Sequence, residues 1–190
     1  MKTAAVVLAA GASTRLGQLK QLVRLREETL LERAVRVARE AGCSPVVVVL
    51  GAEYVQVLGS SLPGDAVPVV NDRWEEGMAS SILLGVQTLG FVAKEAEGVV
   101  IMTCDQPAVT AQHLIALMNT DEVTSSHYAG RNGVPAYFPA SQFGELMKLR
   151  GDAGARELLR TARSVELPGG ELDVDTTDDL NRMHKMFGSH

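Results

Sequence analysis

Short apolar runs alternate with stretches of helical period along most of this chain. Thr3–Ala9, Pro45–Leu50, Val67–Val70 and Gly98–Met102 are strand-length and rich in valine and alanine, with no polar residue at every second position. Runs of that kind belong to strands buried on both faces. Between them, Leu30–Ala41 sets Leu31, Val35 and Ala38 on one face and Glu32, Arg36 and Arg39 elsewhere. Ser81–Leu89 aligns Ile82, Val86 and Leu89 in the same way. Thr110 is placed to cap a helix over Ala111–Met118. The pattern predicts an α/β chain whose mostly parallel sheet carries helices on both faces.

Further on, the pattern changes. Ser126–Tyr128 and Val134–Phe138, separated by Gly130-Arg131-Asn132-Gly133, predict a small hairpin insertion that turns on Asn-Gly. Helices over Ser141–Leu149 and Ala153–Thr161, a strand over Ser164–Leu167 and a closing helix from Thr177, capped by Thr176 or Thr177, complete the order. No internal repeat or long linker interrupts it, so residues 1–187 are expected to form one domain. Gly188-Ser189-His190 reads as a tag remnant.

Composition narrows the chemistry. A chain of 190 residues with 46% hydrophobic content can bury one sizeable core. The net charge of −5 argues against a general nucleic-acid or membrane-surface binder, because either needs a basic face, so any anion site must be local. The N-terminal apolar run is too short to span a bilayer and lacks a signal-peptide cleavage pattern, which sets the expected location in the cytoplasm. Cys43 and Cys104 are too few for a disulfide framework and stand in no zinc-site spacing. His113, His127 and His184 are scattered, and no GxSxG elbow is present for Ser-His-Asp catalysis.

The local anion site is the stretch Leu8-Ala9-Ala10-Gly11-Ala12-Ser13-Thr14-Arg15-Leu16-Gly17-Gln18-Leu19-Lys20, directly after the first apolar run. Small residues let backbone N–H groups approach phosphate oxygens closely. Arg15 offers a bidentate fork and Lys20 a compact charge. Ser13 either donates to a phosphate or turns the loop. A Walker loop needs Gly-Lys-Ser/Thr together, and the dinucleotide fingerprint needs glycine where Ser13 and Leu16 stand, so neither describes this segment.

The pattern LAAGxSxRxGxxK resembles the signature of nucleotidyltransferases with a MobA-like fold, specifically the cytidylyltransferases that act on the molybdenum cofactor. Five further blocks follow in that family's order: Asn71 to Ser81, Cys104-Asp105-Gln106-Pro107, Gly133 to Phe138, Gly151 to Arg156, and Asp173 to Leu180. The resemblance implies a Rossmann-like fold of the nucleotide-diphospho-sugar transferase type. It implies Arg15 and Lys20 as catalytic cations, with Leu8, Ala9, Ala10, Gly11, Ser13, Gly17, Gly77, Ser80 and Ser81 around the nucleotide. It also implies Mg²⁺ on Asp105 and Asp175, since magnesium takes oxygen ligands and phosphate partners. Asp173 is the alternative second ligand, and Asp178 and Asp179 fall in the first turn of the closing helix, where acids offset its dipole.

Each of these residues also has a plainer structural reading. Asp105 is placed for a turn or cap, and Gly77, Ser80 and Ser81 for a bend and a serine N-cap. Trp74 reads as a packing residue. For the acceptor the resemblance implies contacts from Gly133, Pro135, Phe138, Asp152 and Arg156, although Pro135 and Phe138 equally suit an edge hairpin and Arg156 a solvated face. The implied substrates are CTP, indicated by Ala10 where the guanosine-using branch has glycine, and a molybdopterin-type acceptor. A molybdenum hydroxylase or its maturation factor is the implied partner. The chain departs from the family at Leu19, where many members have proline, and at Glu27, where glycine is usual. Two other functions fit the same residues: a cytidylyltransferase for another phosphorylated acceptor, and a non-catalytic nucleotide-binding accessory factor.

Overall fold

Valine and alanine fill the centre of the molecule. The structure, a computed structural model, describes residues 2–60, 62–151 and 155–188. Strands β1 (Thr3–Ala9), β2 (Arg24–Leu25) and β3 (Glu28–Thr29) lead into helix α1 (Leu30–Glu40). Then come β4 (Val46–Leu50), α2 (Tyr54–Ser60), β5 (Val67–Val70), α3 (Met78–Val92), β6 (Gly98–Thr103) and α4 (Ala111–Met118). The chain closes with β7 (Thr124–Tyr128), β8 (Arg131–Pro139), α5 (Phe143–Leu146), α6 (Arg156–Leu159), β9 (Arg163–Glu166) and α7 (Thr177–Phe187).

Seven strands form one sheet in the order β5-β4-β1-β6-β8-β7-β9. β1, β4, β5 and β6 run parallel, with Val6 opposite Val47 on one side and Ile101 on the other. β8 is antiparallel to both β6 and β7, and β9 is parallel to β7. Strand alternation sorts the core into two layers. Ala5, Val7, Val48 and Met102 pack with Leu31, Val35 and Leu114 of α1 and α4, whereas Ala4, Val6, Val47 and Ile101 pack with Ile82, Val86 and Leu89 of α3. Gly85 lets α3 approach closely, since a Cβ there would stand 2.4 Å from Val6 Cγ1.

A third apolar cluster positions the loops at the strand ends. Leu16, Val23, Leu25 and Leu30 pack with Leu172, Val174 and Met183. Leu172 and Val174 are buried while Asp173 and Asp175 are only half-buried, so the alternation leaves the two acids outside the cluster.

The structure differs from the sequence reading in several places: β2 and β3 were not expected, and of the helix expected over Ala153–Thr161 only Arg156–Leu159 is helical among the described residues, which leave out Ala153. The hairpin is part of the main sheet, and its turn is Ala129-Gly130, both at positive φ, while Asn132 and Gly133 pair within β8. The close packing of Gly133 explains why glycine stands there: a Cβ would lie 2.5 Å from the Tyr128 hydroxyl. α3 begins at Met78 with Gly77 as its N-cap, rather than with a serine cap. The expected helix over Ser141–Leu149 is a 3₁₀ turn at Ala140–Gln142 followed by α5. Helix α2 was not expected; Val57 is its one buried residue, so it lacks a clear apolar face.

Candidate active site

Parallel sheets present their strand carboxyl ends to ligands, and three segments meet there: the loop after β1, the turn after β6 and the segment before α7. Lys20, in a 3₁₀ turn over Lys20–Leu22, reaches both acidic segments. Its Nζ donates to Asp105 Oδ2 at 2.5 Å and to Asp175 Oδ1 at 2.9 Å. Arg15 Nη2 donates to Asp175 Oδ2 at 2.9 Å. The Lys20 and Asp105 side chains are only 17% and 9% exposed, whereas Arg15 is 70% exposed. The Lys20–Asp105 contact is therefore shielded from solvent, and the Arg15 contact is screened by it.

Electrostatics follow from that crowding. Burial works against the Lys20 ammonium, yet the adjoining Asp105 charge and the bonds to both carboxylates outweigh it and raise its pKa. Burial, then the nearby charges of Asp105 and Asp175, push Asp173 up to about 7. Burial also pushes the Cys104 thiol, in the same turn, up to about 12.

The loop is held by its own polar groups. Ser13, at φ 54°, accepts a hydrogen bond from Lys20 N at 3.1 Å, so its hydroxyl closes the loop. Gly17 takes φ 73°, a conformation glycine adopts freely. Gln21, fully buried, donates from Nε2 to the carbonyls of Ala9 at 2.7 Å and Gly11 at 3.0 Å. Leu8, Ala9 and Ala10 are buried. The Ala10 methyl lies against Gly51, where an added Cβ would stand 2.8 Å from Ala10 Cβ and 2.8 Å from Trp74 Cβ.

Ser80 and Ser81 are committed within the protein. Asn71 Nδ2 donates to Ser80 Oγ at 2.8 Å and Ser81 Oγ at 3.0 Å, and Ser80 Oγ donates to the carbonyls of Arg73 and Gly77. The two hydroxyls therefore brace the bend at Gly77, whose own φ is 99°.

The turn carrying Asp105 is fixed from two sides. Arg33 of α1 donates from Nη2 to the carbonyls of Pro107 at 2.7 Å and Val109 at 3.0 Å. Gln106 Nε2 donates to Gly170 O at 3.2 Å, and Val174 N donates to Asp105 O at 3.0 Å, which ties the two acidic segments together. Gln21, Arg33, Asn71 and Gln106 had no role in the sequence reading. Asn71 and Gln106 lie inside recognised blocks, but Gln21 and Arg33 bond to backbone carbonyls, which no residue pattern marks.

The acceptor group disperses. Phe138 is fully buried opposite Val99 and Pro135 is buried too, so both are core residues rather than acceptor contacts. Gly133 faces Tyr128. Arg156 is exposed at the start of α6, and Asp152 lies outside the described residues.

Could these carboxylates hold a metal? Asp105 Oδ1 is buried and accepts no hydrogen bond, an arrangement that is costly for a carboxylate and suits a cation. Among the described residues no cluster of three or more His, Cys, Asp or Glu side chains could hold an ion by itself. Asp105 and Asp175 thus fit a hard divalent cation that takes its remaining ligands from phosphate and water.

The chain is 29% identical over 197 residues to the purine catabolism protein PucB of Bacillus subtilis, covering 95% of each chain. It is 32% identical over 194 residues to the nicotine blue oxidoreductase of Paenarthrobacter nicotinovorans, covering 96% of this chain and 93% of that one. Over 110 residues it is 38% identical to a probable molybdenum cofactor guanylyltransferase of Opitutus terrae, covering 57% of this chain and 50% of the relative. The crystal structure of Rv0371c from Mycobacterium tuberculosis matches with a TM-score of 0.84 at 34% identity, over 97% of this chain and 98% of that one. The same protein in complex with manganese matches with a TM-score of 0.78 at 30% identity, over 97% and 99%. The MobA-like NTP transferase domain itself matches residues 5–167, a span that runs from β1 through β9. The chain belongs to the MobA-like NTP transferase family.

Proposed function

We propose that this protein transfers the nucleotidyl group of CTP to the terminal phosphate of a molybdopterin-type acceptor, releasing pyrophosphate. The observation that carries the reading is the convergence of Lys20 on Asp105 and Asp175, with Arg15 beside them, at the carboxyl ends of the parallel strands. A phosphate monoester is largely ionised near neutral pH, so it attacks the α-phosphorus in line without a strong general base. The protein's task is to align two anions and offset charge as the bond to pyrophosphate breaks. Lys20 exchanges its carboxylate partners for the α-phosphate, and Arg15 grips the departing pyrophosphate. Asp105 and Asp175 would hold Mg²⁺, which when bound would supply Lewis-acid neutralisation of the triphosphate. The manganese complex of the mycobacterial relative supports a divalent cation in this fold.

The resemblance favours CTP, because Ala10 stands where the guanosine-using branch has glycine, a smaller residue that would leave room for a purine. The name of the Opitutus relative makes GTP the rival donor. An unpaired polar edge in a buried site costs about 1–3 kcal/mol, so kcat/KM should favour CTP on the order of tenfold to a hundredfold. In the cell the product would pass, in the cytoplasm, to a molybdenum hydroxylase or its maturation factor.

The test is pyrophosphate release with CTP, GTP and ATP, each with and without molybdopterin and Mg²⁺. Acceptor-dependent release that is fastest with CTP is expected. Equal or faster release with GTP would refute the cytidine assignment and leave nucleotidyl transfer standing. No acceptor-dependent release with any nucleotide would refute the molybdopterin reading.

A further inference from the structure

The proposed acceptor is an anion, yet the cations that meet the two carboxylates, Arg15 and Lys20, both belong to the loop after β1. Another guanidinium stands on the hairpin. Arg131, the first residue of β8, lies with its guanidinium carbon 5.6 Å from the centroid of the Tyr128 ring, its cross-strand partner beside the turn. Tyr128 is itself fixed, its hydroxyl donating to Val134 O at 3.0 Å and accepting from Gln106 Nε2 at 3.3 Å. Gln106 directly follows Asp105. The sequence Asp105, Gln106, Tyr128, Arg131 is thus a run of neighbours in chain or in space, and it ends in an exposed cation.

Arg15 is paired with Asp175, whereas Arg131 forms no close ion pair among the described residues. A guanidinium held against an aromatic face is also partly oriented, which reduces the ordering lost on binding.

We propose that Arg131 binds the phosphate of the incoming acceptor, so that Arg15 and Arg131 divide the two anions of the reaction between them. The assignment rests on the nucleotidyl-transfer reading above and gives it a residue that discriminates acceptor from donor. A planar guanidinium can bond two phosphate oxygens at once, a geometry that lysine does not reproduce. Arg131 is at the surface and outside the apolar clusters, so its replacement leaves the core intact.

The experiment is steady-state kinetics on wild type, Arg131→Ala and Arg131→Lys. Molybdopterin is varied at saturating CTP, then CTP at saturating molybdopterin. For Arg131→Ala the acceptor KM should rise about tenfold or more with the CTP KM within about twofold, and Arg131→Lys should fall between. An unchanged acceptor KM, or an equal rise in both KM values, overturns the assignment while leaving the enzyme's function in place. Wild-type protein that releases no pyrophosphate with molybdopterin under any nucleotide overturns the underlying reading, and Arg131's role with it.

Discussion

The two halves of the sheet are buried to similar depth by different chemistry. In the parallel half every residue of β1 and β4 is buried, and apart from Thr3 all are valine, alanine or leucine. In the mixed half β7 reads Thr-Ser-Ser-His-Tyr, and Thr124, Ser125 and Ser126 are at most 1% exposed. The parallel strands need only volume from their side chains once the backbone ladder is formed. Each buried hydroxyl of β7 needs a partner as well. Ser126 donates to Pro135 O at 2.6 Å and meets His113 Nε2 at 2.7 Å, while Ser125 donates to Arg163 O at 3.2 Å. One half is a scaffold defined by packing, and the other is a frame defined by bonds. The parallel half carries the loop proposed for the donor, and the mixed half carries the hairpin proposed for the acceptor.

Lys20 is where the halves meet, so its loss should have the largest effect. It joins the turn after β6 to the segment after β9 through Asp105 and Asp175. Lys20→Ala is expected to lower kcat about 10²–10³-fold, the scale for removing one donor to transition-state charge. Pyrophosphate release by protein shown to be folded checks this, and turnover near wild type would remove Lys20 from the chemistry. The variant should also melt lower, because Asp105 is buried and would lose the partner that offsets its charge. Adding Asp105→Asn should recover melting but not turnover, which separates the two roles.

Stability measurements would test the comparison directly. Leu50→Ala, at a fully buried site in β4, should cost about 2–5 kcal/mol through lost contact and a residual cavity. Ser126→Ala removes a single oxygen and should still cost about 1–3 kcal/mol, because His113 Nε2 and Pro135 O both lose their partner. Chemical denaturation gives both values. A Ser126→Ala variant as stable as wild type would erase the distinction between scaffold and frame.

The same contrast explains what could be read from the sequence. β1 and β5 match their expected bounds, and α4 follows Thr110, whose hydroxyl caps it, because runs and caps are local signals. Asn132-Gly133 has the chemistry of a turn but serves tertiary contacts. Asn132 Nδ2 donates to the carbonyls of Leu159 at 2.9 Å and Ala162 at 3.2 Å, and Gly133 makes room for Tyr128. Phe138 sits in a family-like block, yet its pairing with Val99 turns it into the core. For the site, residue types pointed to Arg15, Lys20, Asp105 and Asp175. Their meeting across 85 and 155 residues of chain had no local trace, nor did the carbonyl clamps of Gln21 and Arg33.

A smaller effect concerns pH and the frame. Burial lowers the pKa of His113 below its ordinary 6.5. As pH falls, the unfolded chain therefore takes up this proton before the folded protein does. The stability contributed by neutral His113 is present above about 6.5 and is lost as pH falls through the lower folded-state value. Melting followed from pH 8 to about pH 5 should decline on that limb, and His113→Gln should flatten the decline. An identical slope in the variant would show that other groups drive it.

The smallest effect is expected at a single methyl in the scaffold half. Ala10 is 7% exposed, its carbonyl accepts from Ala52 N at 3.1 Å, and its methyl lies against Gly51. Ala10→Gly should cost about 1 kcal/mol of stability, from one buried carbon and the freer backbone. Under the CTP reading it widens the space beside the phosphate loop but adds no donor or acceptor for guanine. The CTP preference should therefore narrow only a few-fold. Gly51→Ala is not the reverse experiment, since its Cβ would stand 2.6 Å from the Ala10 carbonyl and displace the loop itself. Competition between CTP and GTP in one reaction gives the ratio of kcat/KM directly. An unchanged ratio, or equal loss with both nucleotides, would mean that the Ala10 methyl supports the loop without selecting the base.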